Sequence, residues 1–195
     1  MQLKKYLFII LSFIIVVSCN DSLEKDKRLN FIGDSIIARW PIDETLPSQL
    51  VYNYGESGAR IDYIEMNKGK FSTDDIVVVI IGTNNSSEFY GDEIEAFVGR
   101  YLTAISGLGS EHIYLFSILP RNFTDDPDDI NLHIKIFNDK VQGAIDLYPH
   151  IVYIDVFDKF IHKNDINYQY YSDGLHLNIY GYELLSSILL NKLYN

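Results

Sequence analysis

Cysteine is almost absent from this chain: Cys19 is the only one in 195 residues. An intramolecular disulfide and a cysteine-built metal cage are therefore both excluded, and no zinc-ligand spacing occurs elsewhere. Basic residues are scarce as well, 16 Lys and Arg against 27 Asp and Glu, for a formal net charge of −11. A field of that sign repels nucleic acid and anionic membrane surfaces. Neutral esters or glycans are the partners it accommodates. The chain has no internal repeat, no low-complexity segment and no apolar run of the about 20 residues that a membrane-spanning helix needs. What remains is an ordinary globular composition, 47% hydrophobic and 22% charged, at a length suited to one domain.

The position of the lone cysteine is informative. Lys4-Lys5, an apolar run from Leu7 to Val17 and Ser18-Cys19 follow the order of a charged region, a hydrophobic region and a small residue before a cleavage point. Val16-Val17-Ser18-Cys19 resembles a bacterial lipoprotein box. That resemblance implies an exported protein anchored to a membrane through lipid on Cys19, at a periplasmic or cell-surface face. An ordinary signal peptide or an uncleaved anchor are the other readings. The expected organisation is a leader over 1–18, a polar tether over 19–28 and one domain over 29–195.

From Leu29 onward, short apolar runs alternate with longer amphipathic stretches. The spacing predicts strands at 29–32, 51–54, 76–81, 113–117 and 151–155. The run Ile76 to Ile81 is continuously apolar and β-branched, as a central strand covered on both faces would be. Helical periodicity covers 61–68, 92–108, 130–147 and 179–193; Ile94, Phe97, Val98, Tyr101, Leu102 and Ile105 fall on one helix face. Such alternation predicts an α/β chain, a three-layer α/β/α sandwich on a mostly parallel sheet. Ligands of these sheets bind at the carboxyl ends of the strands. There the sequence has Gly33-Asp34-Ser35, Gly55-Glu56-Ser57-Gly58, Gly82-Thr83-Asn84-Asn85 and Leu119-Pro120-Arg121-Asn122, with Asp173-Gly174-Leu175-His176 before the last helix.

A serine hydroxyl attacks well only when a base takes its proton, the base is held in one tautomer and fixed donors meet the oxyanion. Of the five histidines, only His176 has an acid three residues before it, Asp173. Ser35 follows a glycine at a strand-to-helix turn; a helix starting there would favour negative charge beside its oxygen. Read alone, Gly33-Asp34-Ser35 makes Ser35 merely an N-cap. Gly58 offers an unobstructed backbone N–H, and Asn84 a side-chain amide at the end of the central strand.

Taken together these segments resemble, residue by residue, the blocks of the SGNH (GDSL-type) hydrolase superfamily. Phe31 to Ile36 is similar to block I, with Ile36 for the usual leucine, and Asn53 to Gly58 is similar to block II. Gly82 to Asn85 is similar to block III, with Asn85 for the usual aspartate, and Asp173 to His176 is similar to block V. The resemblance implies a five-stranded flavodoxin-like sheet and an acyl-serine mechanism without cofactor or metal. Ser35 would be the nucleophile, His176 the base, Asp173 its orienting acid, and the Ser35 N–H, Gly58 N–H and Asn84 amide the oxyanion hole. Asn85 bears on loop rigidity more than on chemistry. The implied activity is hydrolysis of short-acyl esters on carbohydrates. Glycan O-acetyl transfer, lysophospholipid or thioester hydrolysis, and non-catalytic surface binding are the alternatives.

Other features compete. Gly55-Glu56-Ser57-Gly58 loosely fits a nucleophile elbow around Ser57, but that fold keeps acid and histidine on separate loops. The acidic run 125–129 lacks calcium-loop spacing and reads as a solvated loop ahead of a helix. Arg60, Arg121 and Tyr171 are substrate-contact candidates, with Arg39, Tyr168 and Tyr170 beside them; the other reading is surface or structural arginines and an aromatic loop packed against the sheet.

Overall fold

The computed structural model describes residues 28–163 and 165–194. The leader, Cys19 and all of the tether except Arg28 lie outside the described residues. No helix among those residues is long and apolar enough to cross a membrane.

Five strands, β1 (Leu29–Gly33), β2 (Val51–Gly55), β3 (Ile76–Ile80), β4 (His112–Phe116) and β5 (Ile151–Ile154), form one sheet in the order β2-β1-β3-β4-β5. Every pairing is parallel, with Gly33 opposite both Gly55 and Ile80. This is the flavodoxin-like order, which places a crevice between β1 and β3, where the strand order reverses. The helices are α1 (Ser35–Ala38), α2 (Ile42–Thr45), α3 (Ile61–Met66), α4 (Ile94–Ser106), α5 (Ile130–Ala144) and α6 (Ile179–Tyr194).

The period of two along β1 and β3 divides the core into two layers. Ile32, Val77, Val79 and Ile81 pack with α3, α4 and α5 on one side. Leu29, Phe31, Ile76, Val78 and Ile80 pack with α1, Trp40 and α6 on the other. All six residues assigned to the apolar face of α4 are buried.

Element boundaries differ from the sequence reading by one or a few residues. The stretch 130–147 is not one helix: α5 stops at Ala144 and a 3₁₀ turn covers Ile145–Leu147. The antiparallel pair β6 (Ile161–His162) and β7 (Asp165–Ile166) was not foreseen, because two-residue strands carry no periodicity.

Candidate active site

Gly33 ends β1 against β3 so closely that an added Cβ would lie 1.8 Å from the Ile80 carbonyl oxygen. A glycine is therefore obligatory there, and the chain turns immediately after it. Asp34, rather than Ser35, is the N-cap of α1: its Oδ1 accepts the Ile36 N–H at 2.9 Å. Ser35 is thereby the first helical residue, whose N–H has no acceptor within the helix. Because α1 is a single turn, the field at Ser35 comes from nearby amides and not from a long helix dipole, which corrects the expectation of dipole support.

Ser35 and His176, 141 residues apart, meet with Ser35 Oγ 3.1 Å from His176 Nε2. Packing of α6 on α1 produces the approach. Tyr182 donates its hydroxyl to the Ile36 carbonyl at 3.0 Å, and Trp40 Nε1 donates to Ser186 Oγ at 3.2 Å.

The turn before α6 builds the rest. Asp173 Oδ1 accepts the N–H groups of Leu175 and His176, at 3.0 and 2.7 Å, and its Oδ2 lies 2.7 Å from His176 Nδ1. Partial burial opposes the charge on Asp173, but the two backbone bonds and the imidazole outweigh it and hold the carboxyl below the usual range. A carboxylate only accepts, so Nδ1 carries the proton and Nε2 presents its lone pair to Ser35 Oγ. Such a series lets the imidazole take the serine proton during attack and stabilises the imidazolium formed.

Glu56–Ala59 is a tight turn closed by Ala59 N–H to the Glu56 carbonyl at 3.0 Å. Gly58, its third residue, has φ +81° with nothing within 4 Å of an added Cβ. The glycine thus answers to a type II turn and not to crowding. Ser57 is exposed in the same turn, and it is Ser35, not Ser57, that His176 meets. Asn84 sits in the 3₁₀ run Thr83–Phe89 after β3, and its Nδ2 donates to the Ala59 carbonyl at 2.9 Å, tying the third loop to the second.

The three substrate-contact candidates are committed elsewhere. Tyr171 is buried against Phe160 and donates to the Pro120 carbonyl at 2.6 Å. Tyr171 is core, unlike the exposed Tyr168 of the same loop, and is corrected to a packing residue. Arg60 donates to the Asn84 carbonyl and pairs with Glu88. Arg121 donates to Thr83 O, Thr83 Oγ1 and Ser86 Oγ and pairs with Asp126 at 2.5 Å; only 13% and 9% of these two side chains are exposed. Both arginines brace the loop that carries Asn84. The sequence hinted at this only through Asp126, an acid close behind Arg121 in a run read as solvated. Among the described residues no cluster of three or more His, Cys, Asp or Glu is placed to hold a metal.

No signal in the sequence marks Asp34 for chemistry. Burial pushes its carboxyl up to about 7, against the N–H groups of Ile36, Gly82 and Thr83, which favour the charged form. A cavity of about 10 Å³ lined by Asp34, Thr83, Arg121 and Leu175 lies beside it, too small for an acyl chain. On the outer rim, Phe123 and Tyr168 are exposed. Asn122 connects them to the histidine turn, its N–H bonding the Gly174 carbonyl at 2.8 Å and its Nδ2 the Tyr168 hydroxyl at 2.9 Å.

A five-stranded flavodoxin-like sheet with serine, histidine and aspartate joined in series at its switch point defines a class, the α/β enzymes that hydrolyse esters. Residues 31–184 match the GDSL-like lipase/acylhydrolase family, and the chain belongs to it. Among solved structures it is similar to one from Streptococcus pneumonia provisionally described as a platelet activating factor, at 26% identity and TM-score 0.66, covering 93% of this chain and 87% of that one. A GDSL-like lipase from Bacteroides thetaiotaomicron aligns at 20% identity and TM-score 0.70, covering 88% and 89%. An acetylxylan esterase from Geobacillus stearothermophilus aligns at 15% identity and TM-score 0.63, covering 87% and 95%. The last two likenesses concern the fold alone. No curated protein matches the chain.

Proposed function

We propose that this acylhydrolase removes short acyl groups, acetyl above all, from carbohydrates outside the cytoplasm. The observation that carries the chemistry is the unbroken series from Ser35 Oγ through His176 to Asp173. Ser35 attacks the ester carbonyl while His176 takes its proton. The oxyanion is met by the N–H groups of Ser35 and Gly58 and by the second Nδ2 hydrogen of Asn84. His176 then protonates the leaving alcohol, and water, activated by the same imidazole, hydrolyses the acyl-serine.

The carbohydrate reading is supported by the exposed aromatic faces of Phe123 and Tyr168 beside the histidine turn, by the acidic surface, and by the acetylxylan substrate named for one structural relative. The leader pattern supports export and a lipid anchor on Cys19. Turnover of p-nitrophenyl esters of increasing chain length by residues 28–195 tests the acyl preference. Acetate is the best substrate on this reading, and a rise in kcat/KM towards long chains contradicts it. Tyr168→Ala should raise KM for an acetylated xylo-oligosaccharide several-fold and leave p-nitrophenyl acetate unaffected. Equal effects on both substrates contradict a sugar contact.

A further inference from the structure

Asn85 stands where the family pattern has aspartate, and its surroundings account for the exchange. The side chain is buried. Its Oδ1 accepts the Ile61 N–H at 3.0 Å, and its Nδ2 donates to Glu88 Oε1 at 2.7 Å. The same Glu88 oxygen pairs with Arg60, whose Nη1 donates to the Asn84 main-chain carbonyl at 2.8 Å. The contacts therefore run from Ile61 through Asn85, Glu88 and Arg60 back to Asn84. An aspartate at position 85 would keep the bond from Ile61 but oppose its second oxygen to the Glu88 carboxylate, with no proton between them. The amide is the side chain of that shape that satisfies both neighbours.

We propose that Asn85, Glu88 and Arg60 are positioning residues for the oxyanion donor Asn84, an inference that rests on the esterase reading of Ser35. Glu88 is the joint of the set. It turns Arg60 onto the Asn84 carbonyl and holds the Asn85 amide, whose oxygen is pinned to the start of α3. Asn84 is fixed from its own side by the Ala59 carbonyl. Its side chain is thus aimed before substrate arrives. The Arg60 and Glu88 side chains are 45% and 28% exposed, so their pairing adds little to folding stability. Its consequence is geometric, and displacement of a reacting group by about 1 Å costs up to about 10²-fold in rate.

The test measures kcat and KM for p-nitrophenyl acetate alongside the melting temperature. Glu88→Ala, at a partly exposed position that cannot unfold the core, should lower kcat about tenfold with KM nearly unchanged. Asn85→Asp should lower it at least as far. In the double variant Asn85→Asp/Glu88→Gln, a rotation of the amide at position 88 about its last side-chain bond lets its N–H reach the carboxylate at 85 while its carbonyl faces Arg60. That variant should recover to within about threefold of the parent. Unchanged kcat in Glu88→Ala, or a double variant no better than Asn85→Asp, overturns the positioning role. A parent protein without turnover contradicts the esterase reading instead.

Discussion

At the scale of single residues, each group around Ser35 has one definable job. Asn84→Ala removes one of the proposed oxyanion donors and should cost about 10²–10³ in kcat, less than Ser35→Ala, which should abolish turnover. Gly58→Ala tests a backbone direction. The φ of +81° suits a type II turn, and a residue that prefers type I would swing the Ser57–Gly58 peptide through roughly half a turn. Its N–H would then turn away from the proposed oxyanion position, so a loss of similar size is expected in steady-state assays. Asp34 bears on stability. Its carboxyl holds its proton up to about pH 7 in the folded protein against 3.8 ordinarily. Folding therefore takes up a proton between those values. The contribution of Asp34 is full below about pH 4 and is lost as pH rises through about 7. Asp34→Asn, which still caps α1, should gain melting temperature relative to the parent across that window, and a pH-independent difference would contradict this. Ser35, His176 and Asp173 were legible because block residues cluster in sequence. Asp34 was not, since its burial depends on β3 and the Gly82 turn.

At the scale of elements, the strands were legible because β3 is buried throughout and reads as an unbroken apolar run, while β1 and β4 are mostly apolar, interrupted by Asn30 and opened by His112. The loops were not, since their anchors are distant in sequence. Arg121 reaches Thr83 across 38 residues and Arg60 reaches Asn84 across 24, and periodicity is silent at that range. Both arginines read in the sequence as substrate-contact candidates or as structural arginines, and bracing of the third loop, the structural reading, explains their contacts. The Arg121–Asp126 pair lies largely out of solvent, so breaking one side leaves a charge without its partner. Asp126→Ala should destabilise the protein by about 3 kcal/mol in urea unfolding. A change below about 1 kcal/mol would show the loop to be held by other means.

At the scale of the whole molecule, the flavodoxin-like strand order explains why one rim collects the chemistry. Adjacency of β1 and β3 sets the loop that carries Ser35 beside the loop that carries Asn84, and the turn ahead of α6, which packs on α1, brings His176 to Ser35. Net charge and family fit an enzyme working on uncharged esters, and the proposed lipid anchor would hold it at a membrane. In cells, Cys19→Ser should move the protein from the membrane to the soluble fraction, and unchanged membrane association would contradict lipid anchoring. The central claim is that Ser35 is the nucleophile that His176 activates. Its most direct measurement is labelling by a fluorophosphonate, with the modified residue located by peptide mass spectrometry. The expected result is one adduct, on Ser35, formed by the parent protein, slowed severely in His176→Ala and absent in Ser35→Ala. An adduct on Ser57 or another residue, or labelling that survives Ser35→Ala, would contradict it.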